Sequence, residues 1–428
     1  MIKLKTLSLN DKGYDVYLAK LAISRALTKE LDFSDTYTES FKDDVINFQR
    51  AKELNADGIF GPLTWQAALP FLYGFTIRTA NEGDTFSSLA ELFSTDALNI
   101  ERANPDITPN NIQAGQRIVI PYKFPLVTDK IPYSYALTQY ILYGLLARYP
   151  FLELNKAGNS VMGKSIYYVK VGRGQKEYFY NASHHANEWI TTPLLLKFLE
   201  NYSQSYANNE RIGNQGAVFL YNTSKLFLIP LVNPDGVDLV NGAVDKESTY
   251  YINAEEIANR YPQIPFPDGW KANIAGTDLN LNYPAYWEEA KRIKGEQGFK
   301  SPAPRDFVGG APLSAIEIRA VYDFTLNHNF YLTLSYHTQG EVIYWKFLDF
   351  NPENSYNIAL EFAKTSGYTV SETPYASGYA GYKDWFILNY NLPGYTIEAG
   401  KGENPLSINE LNGIYEKNIG ILTDALTF

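Results

Sequence analysis

The tightest constraint on the fold of this chain is an alternation that runs through its last two thirds. Short strand-like runs at Ile166–Val171, Tyr178–Asn181, Leu226–Leu231, Phe330–Ser335 and Tyr395–Ile397 are separated by stretches with helical character at Tyr135–Arg148, Thr191–Tyr206, Ser314–Asn327, Ser355–Ser366 and Ile408–Thr427. Strands that alternate with helices predict an α/β domain, with a mixed or mostly parallel sheet and helices on both faces. In such a sheet the chemistry is carried on loops at the strand ends.

The amino-terminal part has a different pattern. Residues 1–73 read as a small all-α, three-helix domain. Asp15–Leu27 carries Val16, Ala19, Leu21 and Ile23 on one face, and Glu39–Lys52 carries Phe41, Val45 and Phe48. A third helix begins at Thr64–Leu69, after a turn built on Gly58, Gly61 and Pro62. Residues 74–122 read as strand, helix, helix, strand (βααβ). Phe75–Thr79 alternates, and Asp84 is the expected N-cap of a helix whose apolar face is Leu89, Ala90 and Phe93. Ala97–Ala103 is the second helix, stopped by Asn104-Pro105, and Ile118–Pro121 closes the unit. A connector at 123–133, punctuated by two prolines, leads into the third domain, 123–428. Three domains suit a chain of 428 residues.

Two runs in this part resemble known wall-binding modules. Asp57-Gly58-Ile59, Gly61-Pro62 and Thr64-Trp65, with Gly13, Val16, Val45 and Phe48-Gln49, resemble the three-helix peptidoglycan-binding domain. Gly83-Asp84-Thr85, then Gly115-Gln116 before Ile118-Val119-Ile120-Pro121, resemble the lysin-motif fold. That resemblance implies peptidoglycan glycan strands, through N-acetylglucosamine, as partners.

Composition narrows the chemistry. At 45% hydrophobic the chain is too apolar to be disordered. With no cysteine there is no disulfide framework, no thiol nucleophile, and no thiolate-held zinc or iron–sulfur cluster. A metal would rest on carboxylates and on four histidines: His184, His185, His328 and His337. A net charge of −10 argues against nucleic acid as the main partner. No run approaches the ~20 apolar residues of a membrane span. The opening MIKLKTLSLNDKGYD lacks the apolar stretch of a signal peptide.

His184-His185-Ala186-Asn187-Glu188-Trp189 directly follows the Tyr178–Asn181 run and precedes a helix. On a turn entering a helix, His185 and Glu188 at i, i+3 face the same side and could share a cation. A third ligand should come from another strand end, and His337 closes the run that starts at Phe330. Two histidines and one glutamate leave a fourth zinc position open, the arrangement of catalytic sites. His-x-x-Glu alone is a weak signal, because such pairs are common by chance.

Five motifs in order strengthen it: HANEW (185–189), NPDG (233–236), GTDLNLN (276–282), SYH (335–337) and YTIEAG (395–400). Together they make residues 130–428 resemble the zinc carboxypeptidase family. The resemblance implies one zinc ion held by His185, Glu188 and His337. It implies that Asp278 orients the first ligand histidine, fixing its tautomer, and that Glu398 is the general base toward water activated by zinc. Lys271, after Trp270, stands where the family stabilises the oxyanion with arginine, and would act there as a point charge. Asn280 falls on a substrate-binding position. Tyr375 matches the family's flexible-loop tyrosine, with Tyr379 as the alternative. His184 and His328 match no family role, and His328 reads as a helix C-terminal residue.

One position departs from the pattern. The family's exopeptidases grip the substrate's terminal carboxylate with an Asn-Arg pair, and here Asn280 is followed by Leu281. A leucine cannot pair with a carboxylate. Similar wall peptidases, the γ-D-glutamyl-diamino acid endopeptidases, also lack that arginine. The expected activity is therefore hydrolysis of peptidoglycan stem peptides at the γ-D-Glu–meso-diaminopimelate (or Lys) bond. The alternatives are a metallocarboxypeptidase and a catalytically inactive wall-binding protein; the complete His185, Glu188, His337 and Glu398 set argues against the latter. Arg173, Arg305, Lys383 and Lys401 are the cations near motif loops that could hold an anionic substrate. The expected location is the bacterial cell wall or the spore, with the cytoplasm or a sporulation compartment also open. Nothing in the sequence indicates an oligomeric state.

Overall fold

In the computed structural model, residues 5–109 and 111–428 are described, so the four residues that open the expected 1–73 domain lie outside them. The chain divides into two units: residues up to Ile131 together with Ala136–Glu153, and Pro132–Tyr135 together with Leu154–Phe428.

In the first unit, helices Tyr14–Leu27, Glu39–Ala51 and Pro62–Tyr73 bury the apolar faces read from the sequence, including Val16, Ile23, Val45 and Phe48. The turn between the second and third is held by one buried side chain. Gln49 donates from Nε2 to Ile59 O at 2.9 Å and to Asp57 Oδ1 at 3.1 Å, and its Oε1 accepts from Gly58 N at 2.9 Å. Pro62 opens its helix where no N–H is needed, and Gly74 ends it with φ of 72°. Strands β1 (Phe75–Thr79) and β2 (Arg117–Pro121) pair antiparallel around helices Phe86–Leu92 and Ala97–Ala103. Phe86, Leu89, Ile100, Ile118 and Ile120 form their core. The N-cap here is Thr85 and not Asp84. Thr85 Oγ1 accepts from Ser88 N at 3.0 Å and Ser88 Oγ accepts from Thr85 N at 2.9 Å, a reciprocal capping box. Asp84 instead closes the preceding turn, accepting from Asn81 N at 2.7 Å.

The second unit is built on an eight-stranded sheet. Its strands are β3 (Glu153–Asn159), β4 (Ser165–Val171), β5 (Lys176–Ala182), β8 (Ser224–Ile229), β9 (Phe330–His337), β10 (Val342–Tyr344), β11 (Thr369–Ser371) and β12 (Gly394–Glu398). A separate small hairpin is formed by β6 (Arg211–Ile212) and β7 (Gln215–Gly216). The sheet order is β11-β10-β12-β9-β5-β8-β4-β3. Its centre, β12, β9, β5 and β8, is parallel, whereas β4 and β10 join antiparallel. All five runs expected to be strands are strands, and every one of them lies in this sheet. The three missed strands lie toward its edges; β3 reads ELNKAGN and is largely exposed, and β10 and β11 have three residues each. The final helix is interrupted: Leu411–Asp424 is α-helical, with 3-10 turns at Ile408–Glu410 and Ala425–Thr427.

Parallel strands end on one edge, where connecting loops converge. The loop after β5 carries His184 to Glu188, β9 ends at His337, and β12 ends at Glu398. The register pairs Glu398 directly with His337. Among the described residues no helix is long and apolar enough to cross a membrane.

Candidate metal centre and cleft

His185 opens a one-turn 3-10 helix, Ala186–Glu188, so the i, i+3 spacing brings the imidazole over the carboxylate. His185 Nδ1 lies 2.9 Å from Glu188 Oε1, and His337 Nδ1 lies 2.9 Å from Glu188 Oε2. The two Nδ1 atoms are 3.2 Å apart. Two unprotonated imidazole nitrogens aimed at each other repel unless a cation or proton lies between them. Their separation is close to the roughly 3.3 Å edge of a tetrahedron with bonds of about 2.0 Å. One ligand atom from each of His185, Glu188 and His337 fits within 4.8 Å of the others. This donor set of two nitrogens and a carboxylate suits zinc.

Other parts of the chain hold these groups in place. Asp278 Oδ1 lies 3.1 Å from His185 Nε2, and its Oδ2 accepts from Asp306 N at 3.1 Å. Asn233, the first residue of NPDG, donates to His184 O at 3.1 Å and to Ala272 O at 3.0 Å. Lys271 O accepts from Ala186 N at 2.9 Å. Asn282 donates to Val308 O and Ala311 O and accepts from Ala315 N, which folds the segment after Pro304 against the site. The motif asparagines are thus mostly struts between loops far apart in sequence.

The electrostatics are those of a buried charged cluster. Burial would lower the His185 imidazole, but the Glu188 and Asp278 carboxylates outweigh it and push it up to about 9. Burial would raise Glu188, yet His185 and Lys271 hold it well below the usual carboxylate range. Glu398 is pushed up to about 8 by burial and then by the Glu188 carboxylate. Lys271 Nζ lies 3.0 Å from Glu188 Oε1.

These residues face a cleft of about 690 Å³, lined also by Asn280, Leu281, Lys294, Arg305, Lys383 and Glu398. Asn280 Oδ1 accepts from Tyr382 N at 3.0 Å. Leu281 is 8% exposed and packs in a hydrophobic cluster with Leu279, Tyr283 and Trp385 among its members. Tyr375 is not brought to the cleft wall: it is 62% exposed, and its hydroxyl lies 2.7 Å from Glu289 Oε1. Tyr379 is buried beside Phe347. His184 is fully buried, with Nε2 3.0 Å from Tyr283 OH. His328 lies just past the end of helix Ile316–Leu326, with Nδ1 2.7 Å from Phe324 O.

Of the four candidate cations, Arg305 and Lys383 line the cleft. Lys383 is buried and already paired with Asp384 and with Lys346 O. Arg173 binds Asn222 and Lys401 binds Glu341, and neither lines the cleft. Lys294 and Asp306 were not legible in the sequence; their 2.6 Å ion pair in the cleft wall joins a helix to a loop and leaves no motif.

Comparison with known proteins agrees with this geometry. The zinc carboxypeptidase family profile matches residues 139–419, a LysM domain matches 79–121 and a peptidoglycan binding domain matches 12–68. The chain is 41% identical to gamma-D-glutamyl-L-diamino acid endopeptidase 1 of Lysinibacillus sphaericus over 302 residues, covering 70% of this chain and 74% of the relative. It is 39% identical to the protein YqgT of Bacillus subtilis over 282 residues, 65% of this chain and 73% of that one. The crystal structure of thrombin activatable fibrinolysis inhibitor shares the fold, with a TM-score of 0.55 at 16% identity, over 82% of this chain and 97% of that one.

Proposed function

Because this chain belongs to the zinc carboxypeptidase family, we propose that it is a wall peptidase that cuts peptidoglycan stem peptides between γ-D-glutamate and a diamino acid, meso-diaminopimelate or lysine. The observation that carries this reading is Leu281. It is packed in the core at the position where an exopeptidase of the family needs a cation for the terminal carboxylate. The name of the Lysinibacillus sphaericus relative supports the same bond. The two wall-binding modules support a polymeric wall substrate, because tethering raises the effective concentration of the catalytic unit. We take the modules as 1–73 and 74–122, the catalytic domain as 123–428, and N-acetylglucosamine as the sugar that is gripped.

His185, Glu188 and His337 would hold one zinc ion. Bound there, such an ion would supply Lewis acidity toward a carbonyl and toward water near neutral pH. Glu398, in register beside His337, accepts a proton from the attacking water and delivers it to the leaving nitrogen. Lys271 places positive charge where the carbonyl oxygen becomes anionic. Asp278 keeps His185 in one tautomer and orientation. Asn280 touches the substrate, and Tyr375 reaches it only if its loop leaves Glu289.

Mass analysis of products from defined stem peptides, with and without a chelator, tests the proposal. The expected result is chelator-sensitive cleavage of the γ-D-glutamyl bond. Release of single C-terminal residues that depends on a free terminal carboxylate would overturn it.

A further inference from the structure

Leu281 removes one cation from the cleft, and the structure offers another on the wall beside Lys271. Lys271 N and Ala272 N both donate to Pro304 O, at 2.8 and 2.9 Å. The next residue but one, Asp306, donates its own N–H to Asp278. Arg305 is therefore clamped between the backbone that carries Lys271 and the carboxylate that orients His185. Its side chain is fixed as well: Nε donates to Asp306 Oδ2 at 2.6 Å, and the other oxygen of Asp306 is held by Lys294 at 2.6 Å. The two terminal guanidinium nitrogens have no protein partner among the described residues, and the side chain is 42% exposed on the cleft wall. A guanidinium anchored through Nε, with its far edge open, is built for bidentate recognition of a carboxylate.

We propose that Arg305 is a specificity-determining residue that reads the free α-carboxylate of a γ-linked D-glutamyl group on the acyl side of the scissile amide. The inference rests on the γ-glutamyl reading above and deepens it. In a γ-linked glutamate the α-carboxylate is four bonds from the scissile carbonyl carbon, roughly 5 Å away when extended. Arg305 lines the same cleft wall as Lys271 and is the candidate partner for that carboxylate. An ordinary α-linked peptide carries no backbone carboxylate there. Lys383, the other candidate on the wall, is buried and committed to Asp384 and Lys346 O.

The test uses the full zinc-loaded chain and two stem peptides that differ only in whether the D-glutamyl α-group is a carboxylate or a carboxamide. The wild type is expected to prefer the carboxylate by about 10–100-fold in kcat/KM. Arg305→Gln should bring the ratio close to one, and Arg305→Lys should keep part of the preference. Calorimetric binding of L-alanyl-D-glutamate against its α-carboxamide supplies a second ratio that needs no turnover, and should change in the same way. Equal handling of both peptides by the wild type, or a full preference in Arg305→Gln, overturns the assignment. If no γ-D-glutamyl peptide is cut, the function proposed above fails, while the binding ratio still decides the role of Arg305.

Discussion

Asp278 presents Oδ1 to Nε2 of His185 at 3.1 Å, the ring nitrogen opposite the one that faces Glu188. A carboxylate there makes Nδ1 the free lone pair and raises its basicity toward a metal. Asp278→Asn keeps the shape and removes the charge. Its zinc affinity, measured by competition with a chelator, should fall about 10–100-fold. An unchanged affinity would show that the contact does not tune His185.

Glu398 pairs in register with His337, yet among the described residues its carboxylate makes no hydrogen bond of the kind that engages Glu188. Glu398→Gln should retain zinc, measured by metal analysis, and lose about 10²–10⁴-fold in kcat. Turnover at the wild-type rate with full zinc content would remove Glu398 from the mechanism.

The close approach of His185, Glu188 and His337 also sets what metal removal does. An ion that binds only the folded state adds stability by mass action, about 4 kcal/mol when free metal is a thousand times its dissociation constant. Chelation should abolish hydrolysis and lower the thermal midpoint, and added zinc should restore both. A chelated protein with an unchanged midpoint would show that these residues do not bind metal tightly.

Glu317 is fully buried, accepts from Asn273 Nδ2 at 3.1 Å and Val161 N at 3.2 Å, and is pushed up to about 6 chiefly by burial. The folded state thus holds this proton more tightly than the unfolded chain. The associated stability is fully present below the ordinary value near 4.5 and is lost as pH rises through 6, to the extent of about 2 kcal/mol. The thermal midpoint of the wild type relative to Glu317→Gln should accordingly be higher at pH 4.5 than at pH 7.5. A difference that is constant across that range would contradict the shift.

If the amino-terminal modules hold the wall, soluble N-acetylglucosamine oligomers should slow turnover of intact sacculi and leave turnover of a short stem peptide unchanged. Equal inhibition of both substrates would place the sugar in the catalytic cleft instead.

Much of this molecule can be read locally. The five central strands were legible because buried strands are continuous apolar runs, and the three metal-facing residues because each sits on a strand end or an adjoining turn, a few residues from a recognisable run. Short and exposed strands such as β3 and β11 carry little of that pattern. The choice of Thr85 over Asp84 as N-cap depended on a turn that claimed Asp84 first.

The direction of each cation lay outside local reach. Arg173, Arg305, Lys383 and Lys401 look alike in sequence, as charged residues near motifs. Asn222 takes Arg173, Glu341 takes Lys401, Asp384 and Lys346 O take Lys383, and Asp306 holds only the Nε edge of Arg305. Asp384 and Asp306 are next to their cations in the chain, but Asn222, Glu341 and Lys346 O, and the contacts that aim the Arg305 loop, come from segments tens of residues away, so packing as well as sequence neighbours settles which charge the cleft keeps. The metal-facing set is legible from residue types and short spacings; the open edge of the Arg305 guanidinium, among the described residues, follows from folding distant loops against each other.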